Sequence, residues 1–309
     1  MNLMDNVQEY LAVRRAFGAK LKGFDRSLCQ FVAFLKKKRA PFVTTQLALQ
    51  WATQPCGVSK AHHVARLRWV RLLTGFLHTK DPRHEVPPVG LLCARPRRIT
   101  PYVYSDVELA QLLERARQRP SPLGLQGETY ATMFALLMVT GMRMNEVISL
   151  EREDVDLTGG VLTIRETKFH KTRMIPIHPT TATALSDYAQ RRDSLVRGGR
   201  DRAFFVSEKG SRMSQDLLRG QFKKLCQTVG LRDRTDGRGP RLHDLRHRFA
   251  VQSLVHWYRQ DLDAARLLPI LSTYLGHACT ADTYWYLEAV PELLELATRR
   301  LERAIEERL

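Results

Sequence analysis

His243-Asp244-Leu245-Arg246-His247, then Leu275-Gly276-His277, then Tyr286 nine residues further on: this C-terminal series decides how the chain is read. His243 and Arg246 stand three apart, so on a helix they share one face. Gly276 is a helix-ending residue that delivers His277 just past the stop. Thr283-Tyr284-Trp285-Tyr286 reads as a further short helix. Tyr284 and Tyr286 point in different directions there, so only one of them can meet a given target.

Working outward, Thr140-Gly141-Met142-Arg143-Met144-Asn145-Glu146 ends an apolar helix at Gly141 and presents Arg143 one turn before Glu146. Glu146 is placed either to hold Arg143 or to cap the next helix. Val161-Leu162-Thr163-Ile164 and Met174-Ile175-Pro176-Ile177 read as two strands joined through Lys168–Lys171. Lys168, Lys171 and Arg173 all stand near that turn as rival cations. Arginines, histidines and a lysine around one phenol suit a phosphodiester that gains negative charge while a tyrosine oxygen attacks it. Each residue taken singly has a plainer reading, as a solvated turn lysine, a core histidine or a surface aromatic.

Charge points the same way. The 309 residues carry 49 Lys+Arg against 32 Asp+Glu, a net +17, and a polyanion is the expected partner. The excess is concentrated early: residues 1–104 hold 18 Lys+Arg and 5 Asp+Glu. An anionic membrane surface fits less well, because no segment pairs a basic face with a dense aromatic one. Cys29, Cys56, Cys93, Cys226 and Cys279 are scattered and odd in number, and indicate neither a disulfide framework nor a zinc site. No signal peptide and no apolar run long enough to span a membrane is visible, so a reducing cytoplasm is expected.

The layout is mainly α with a small antiparallel β-sheet. One helix is expected over 5–38. A second follows after Thr44 or Thr45, and a third from Lys60 to about Thr79, capped by Ser59. The third carries a Val64, Leu67, Val70, Leu73, Leu77 stripe, with Arg66, Arg68 and Arg71 as candidate phosphate contacts. Pro82, Pro87, Pro88, Pro96 and Pro101 mark 81–104 as a connection, with Arg95, Arg97 and Arg98 as its basic tail. Ser105 with Glu108 is a capping-box signal for the next helix. A short strand is expected at 203–206, with helices near 214–229, 243–260, 266–275, 280–288 and 291–307. The expected domains are a helical basic DNA-binding domain over 1–100 and a catalytic domain over 101–309.

From about residue 103 to 290 this set resembles the tyrosine recombinase (phage integrase) family, with a looser likeness before it. The resemblance places the family's Thr-Gly-x-Arg-x-x-Glu arginine on Arg143 and its hairpin lysine on Lys168. It places the His-x-x-Arg pair on His243 and Arg246, the Leu-Gly-His histidine on His277 and the nucleophile on Tyr286. Bulky Phe169 and His170 in the lysine turn, and Arg248 after the His-Leu-Arg-His segment, depart from the usual pattern. What the resemblance implies is a helical core-binding domain joined to a tyrosine-recombinase catalytic domain. It implies cutting and rejoining of double-stranded DNA through a 3′-phosphotyrosine, for a transposon or other mobile element, in the cytoplasm and on the nucleoid. Lys171 and Arg173 become further DNA contacts. No cofactor and no metal is expected, because arginines supply the charge. The implied partners are recombination sites, further copies of the chain in a tetramer, and sister recombinases or DNA-bending proteins, with no membrane. A type IB topoisomerase and a non-catalytic DNA-binding regulator are the alternatives of neighbouring chemistry and of another class. The apolar stripe Leu293, Leu294, Ala297, Leu301, Ile305 on the last helix is compatible with docking on a neighbour or on its own domain.

Overall fold

The computed structural model describes residues 2–19, 21, 23–94, 100–165, 172–196, 201–232, 239–277, 279, 283 and 291–306. The chain divides into two compact units, Met1–Ile99 and Thr100–Leu309.

The first unit is four helices around one core: α1 (Leu3–Ala16), α2 (Phe24–Lys37), α3 (Thr45–Thr53) and α4 (Lys60–Lys80). The continuous helix expected over 5–38 is two helices. Gly18 and Gly23 adopt positive φ, 78° and 81°, and break the helical path between them. Thr44 caps α3 by accepting from Leu47 N–H, and Ser59 caps α4 by accepting from His62 N–H. Leu28, Phe31, Val32 and Leu35 of α2 meet Leu67, Val70, Leu73 and Leu77 of α4 in the core.

The Pro-rich segment after α4 is not a free connection at its start. His84 is buried, and its Nδ1 accepts from Val43 N–H at 3.1 Å. Glu85 Oε2 accepts from Thr45 N–H at 2.7 Å, at the start of α3. Arg71 donates from Nε to Pro87 O and from Nη2 to Pro88 O, each at 2.7 Å. Proline carbonyls remain good acceptors although proline lacks a donor, so arginine can strap a proline pair where a strand ladder cannot.

The second unit is larger and mixed. Its helices are α5 (Asp106–Arg117), α6 (Gln126–Thr140), α7 (Met144–Ser149), α8 (Pro179–Leu195), α9 (Gln215–Thr228), α10 (Leu242–Arg259), α11 (Ala264–Leu275) and α12 (Pro291–Glu306). Ser105 and Glu108 form the full capping box at α5. The sheet has three antiparallel strands, β1 (Val155–Asp156), β2 (Val161–Ile164) and β3 (Arg173–Pro176), with Ile164 opposite Arg173. Residues 203–206 contribute two isolated bridges, Glu151 to Ala203 and Val206 to Arg212, in place of the expected strand. Phe204 and Phe205 explain the apolar signal there, because both are buried against Tyr188.

α6 runs through the main core, with Tyr130, Met133, Phe134, Leu136 and Leu137 buried. A second cluster joins α10, α11 and α12 through Leu254, Leu268, Leu271 and Leu293. The last helix thus packs on its own unit, while Leu294 and Ile305 stay exposed. The helix expected at 280–288 falls, apart from Thr283, outside the described residues. No described helix is long and apolar enough to cross a membrane.

Burial lowers the pKa of His84, with nearby Asp81 opposing and Arg83 and His78 assisting. A histidine whose folded pKa lies below its unfolded value near 6.5 contributes stability that is full above that pH and is lost as pH falls. Thermal unfolding should therefore occur at lower temperature at pH 5 than at pH 7. His84→Gln should flatten that slope; equal slopes in the two proteins would remove His84 as its source.

Candidate active site

Two glycine-terminated helices build the site. α6 stops at Gly141 (φ 60°), whose N–H bonds Leu137 O at 3.1 Å. A Cβ there would lie 2.5 Å from a Phe249 ring carbon, so the position needs glycine for space as well as for φ. α11 stops at Gly276 (φ 69°) in a Schellman pattern: Gly276 N–H bonds Thr273 O at 2.9 Å and His277 N–H bonds Ser272 O at 3.0 Å.

The next three carbonyls of that terminus each receive an arginine. Arg173 Nε donates to Tyr274 O at 2.9 Å, Arg246 Nη2 to Leu275 O at 2.7 Å, and Arg143 Nη2 to Gly276 O at 2.7 Å. Arg246 Nη1 also donates to Gly141 O at 2.8 Å, tying both helix ends together. Cations at helix C-termini are favoured by the exposed carbonyl dipoles. A Cβ on Gly276 would come within 2.9 Å of Arg173 Nη1 and 3.3 Å of Arg143 Nη1, so the missing side chain is what lets both guanidiniums approach.

Glu146 fills both roles that its spacing allowed. Its Oε2 accepts from Arg143 N–H at 2.9 Å at the start of α7, and its Oε1 from Arg143 Nη1 at 2.9 Å. Arg173 adds Nη1 to Oε1 at 3.0 Å and Nη2 to Oε2 at 2.7 Å. Burial opposes the charge on Glu146, but the two arginines and the Arg143 N–H win and hold its pKa below the usual range.

α10 begins with Asp244 accepting from Arg241 N–H at 2.8 Å, which leaves His243 in the first turn. Arg246 is 2% exposed, whereas His243 keeps access to solvent. Protein crowded around His243 still removes enough water to lower its pKa, and Arg246 adds to the effect while Asp244 opposes it. The ring of His247 stands edge-on to that of His243, centroids 4.7 Å apart. His247 is buried, and desolvation followed by the charge of its neighbours pushes it down to about 3. His277 is half-buried, and its Nδ1 pairs with the hydroxyl of buried Thr283 at 2.7 Å.

Of the sequence-predicted site residues, Arg143 and Arg246 thus converge on the turn that carries His277, and His243 lies one helical turn from Arg246. Lys168, Tyr286 and its competitor Tyr284 lie outside the described residues, as do Lys171, Arg95, Arg97 and Arg98. Arg68 is exposed on α4. Arg66 is not a surface cation: it is 8% exposed, its guanidinium lies 3.6 Å from the Trp51 ring centroid, and its Nη2 donates to Trp51 O at 2.9 Å. It sits four residues before Val70 on the apolar stripe, so helical periodicity points it inward. Arg71 is engaged by the proline carbonyls and Arg173 by Glu146. The engagement of Arg173 had one sequence signal, its shared strand parity with buried Ile175. Among the described residues no group of three or more His, Cys, Asp and Glu could hold a metal ion.

The phage integrase family matches residues 105–292. The protein y4rB of Sinorhizobium fredii, named for an integrase/recombinase, is 44% identical over 306 residues, covering 98% of each chain. A tyrosine recombinase XerC of a Roseiflexus species is 30% identical over 210 residues, 67% of this chain and 59% of that one. Among solved structures, the XerH site-specific recombinase bound to palindromic difH substrate superposes with a TM-score of 0.65 at 19% identity, covering 90% of this chain and 79% of that chain. The Tn1549 transposon integrase in complex with transposon right end DNA gives 0.66 at 15%, covering 98% and 99%. The chain belongs to the phage integrase family and is a tyrosine-type site-specific recombinase.

Gly276→Ala should destabilise the protein by at least about 1–2 kcal/mol, the cost of a left-handed non-glycine residue, with the displacement of the Arg173 guanidinium added to it. Gly220→Ala should instead stabilise it by about 0.5–1 kcal/mol, because Gly220 lies inside α9 with open space where a Cβ would go. Urea midpoints of the two variants should move in opposite directions.

Proposed function

We propose that this recombinase cuts and rejoins double-stranded DNA for a mobile element, with Tyr286 as nucleophile. The Tyr286 oxygen attacks the scissile phosphorus, an O–P bond forms, and the bond from phosphorus to the 5′-oxygen breaks. The product is a 3′-phosphotyrosine and a 5′-hydroxyl. His243 takes the tyrosine proton, a role favoured by the lowered pKa that keeps the imidazole neutral. Lys168 protonates the departing 5′-oxygen. Arg143 and Arg246 bracket the non-bridging oxygens, and His277 donates to one of them. Attack by an incoming 5′-hydroxyl reverses the step, returning Tyr286 and joining a new strand.

One observation carries this reading. Arg143 from the α6–α7 turn and Arg246 from α10 meet at adjacent carbonyls, Gly276 and Leu275, immediately before His277. Three donors are thereby gathered before any substrate arrives, as electrostatic catalysis of phosphoryl transfer requires. The solved relatives lend support in kind: XerH has been captured after cleavage on difH, Tn1549 integrase on its transposon end, and lambda integrase as a dimer on a core site. By the same reading the protein works on paired sites as a tetramer, with sister recombinases or bending proteins where the site demands them, in the cytoplasm. The first unit supplies phosphate contacts, Arg68 and the Arg95, Arg97, Arg98 cluster among them.

A nicked suicide duplex carrying the element's own site should trap a covalent protein–DNA adduct, resolved on a denaturing gel. Tyr286→Phe should form none. An adduct that survives in Tyr286→Phe would move the nucleophile to Tyr284, and no adduct with wild type on the true site would overturn strand cleavage.

A further inference from the structure

The mechanism above uses Arg143 and Arg246 but leaves the third arginine of the turn without a task. We infer that Arg173 is a positioning residue: it ties strand β3 to the carboxylate that orients Arg143 and to the carbonyl terminus that presents His277. The inference deepens the strand-cleavage reading and rests on it for the catalytic part.

Arg173 is committed inward. Its side chain is 12% exposed, and Nε, Nη1 and Nη2 each donate to a protein acceptor. Such a fork has one favoured geometry, because the guanidinium plane must satisfy both carboxylate oxygens while its Nε reaches a carbonyl on another element. A DNA phosphate would have to compete with all three bonds. The Arg173 charge is already matched by the Glu146 carboxylate through Nη1 and Nη2, whereas the Arg246 bonds at Gly141 and Leu275 run to neutral carbonyls, so the groove-contact role that its position near a basic turn suggests fits Arg173 poorly.

Glu146 is the point of transmission. Each of its oxygens accepts one bond from Arg143 and one from Arg173. With Arg173 removed, the carboxylate keeps only the Arg143 bonds and can turn with that side chain instead of fixing it. Tyr274 O would also lose its arginine, one carbonyl before the Leu275 acceptor of Arg246. A single change would thus loosen both proposed phosphate-binding arginines without touching either.

The anchor also reaches the hairpin. Arg173 opens β3 opposite Ile164, the last residue of β2, so it sits at the base of the β2–β3 connection. Lys168 lies five residues before it in the sequence.

The test compares wild type, Arg173→Lys, Arg173→Gln, Glu146→Gln and the Arg173→Gln/Glu146→Gln double variant, each as the full chain. Adduct formation on the suicide duplex is timed at saturating protein. It should slow about 100-fold in Arg173→Gln, the scale of a misplaced catalytic group, and about 10-fold in Arg173→Lys, which keeps charge but not the fork. DNA affinity by gel shift should change less than about 3-fold, with an unchanged salt slope. A weaker affinity with a slope reduced by about one would identify Arg173 as a phosphate contact and overturn the proposal. The double variant should match the slower single variant, because both changes break one unit; multiplied losses would show that Arg173 does not act through Glu146.

Hydrogen exchange supplies a readout that needs no cleavage. Arg173→Gln should speed exchange at residues 272–277 and leave α8 at its wild-type rate. Wild-type rates at 272–277 would overturn the positioning role whatever the adduct assay gives. If Arg173→Gln exchanges everywhere, its fold is lost and Arg173→Lys is read in its place. Failure of wild type to form an adduct, with exchange altered as expected, would instead sink the cleavage reading and leave the anchor standing.

Discussion

The site depends on how one helix ends. A helix leaves its last four carbonyls without intrahelical donors, and a buried terminus must find partners for them. At α11 the backbone turn and arginine side chains share the accounting. The Schellman turn satisfies Ser272 and Thr273 from the backbone, and Arg173, Arg246 and Arg143 take Tyr274, Leu275 and Gly276 in succession. The elements that carry these arginines are far apart in sequence: β3, α10 and the α6–α7 turn. A single helix terminus therefore fixes the relative placement of three parts of the second unit.

The same bonds solve an electrostatic problem. Three guanidiniums and two histidines in one partly desolvated region repel one another, and their cost falls only if negative partners are built in. Glu146 is a full negative charge shared by two of the arginines. The carbonyl ends of α6 and α11 supply partial negative charge to Arg246. His243 and His247 both have lowered pKa values, and desolvation is the first cause in each; Arg246 comes next for His243, and His243 itself comes next for His247. Desolvation, with Arg246 adding to it, thus favours the neutral form of His243, the form that the proposed proton acceptor requires.

Much of this was legible in the residues, and the exceptions have physical causes. The Ser105–Glu108 capping box, the Thr44 and Ser59 caps, and the helix stops at Gly141 and Gly276 are local signals, and the structure follows them. Strands β2 and β3 were readable from alternation, with β3 starting one residue earlier than expected because Arg173 pairs with Ile164. At two places position outweighs side-chain type. Phe17 and Leu21 keep helical apolar spacing across Gly18, which suggests one continuous helix, yet Phe17 is 87% exposed and the chain turns at Gly18 and Gly23. Charge suggests an outward Arg66, but its position on the stripe of Val70 and Leu73 turns it inward, and Trp51 gives its planar cation an aromatic face to lie against. Arg71 and the prolines it straps are sixteen and seventeen residues apart, beyond any local window.

The separations inside the site set a further constraint. Arg143 reaches a carbonyl 133 residues away, Arg246 one 105 residues before it, and Arg173 one 101 residues after it. No hairpin or helix pair can form this arrangement alone, because closing such loops costs chain entropy that only the packed core of the second unit offsets. The donors meet only where α6, α10 and α11 are all docked. Loss of one arginine then acts twice, removing a proposed phosphate ligand and uncovering a carbonyl at the junction that aligns the others. That coupling explains why the motif halves are weak when read singly and informative in sequence: each is a fragment of one long-range hydrogen-bonded turn.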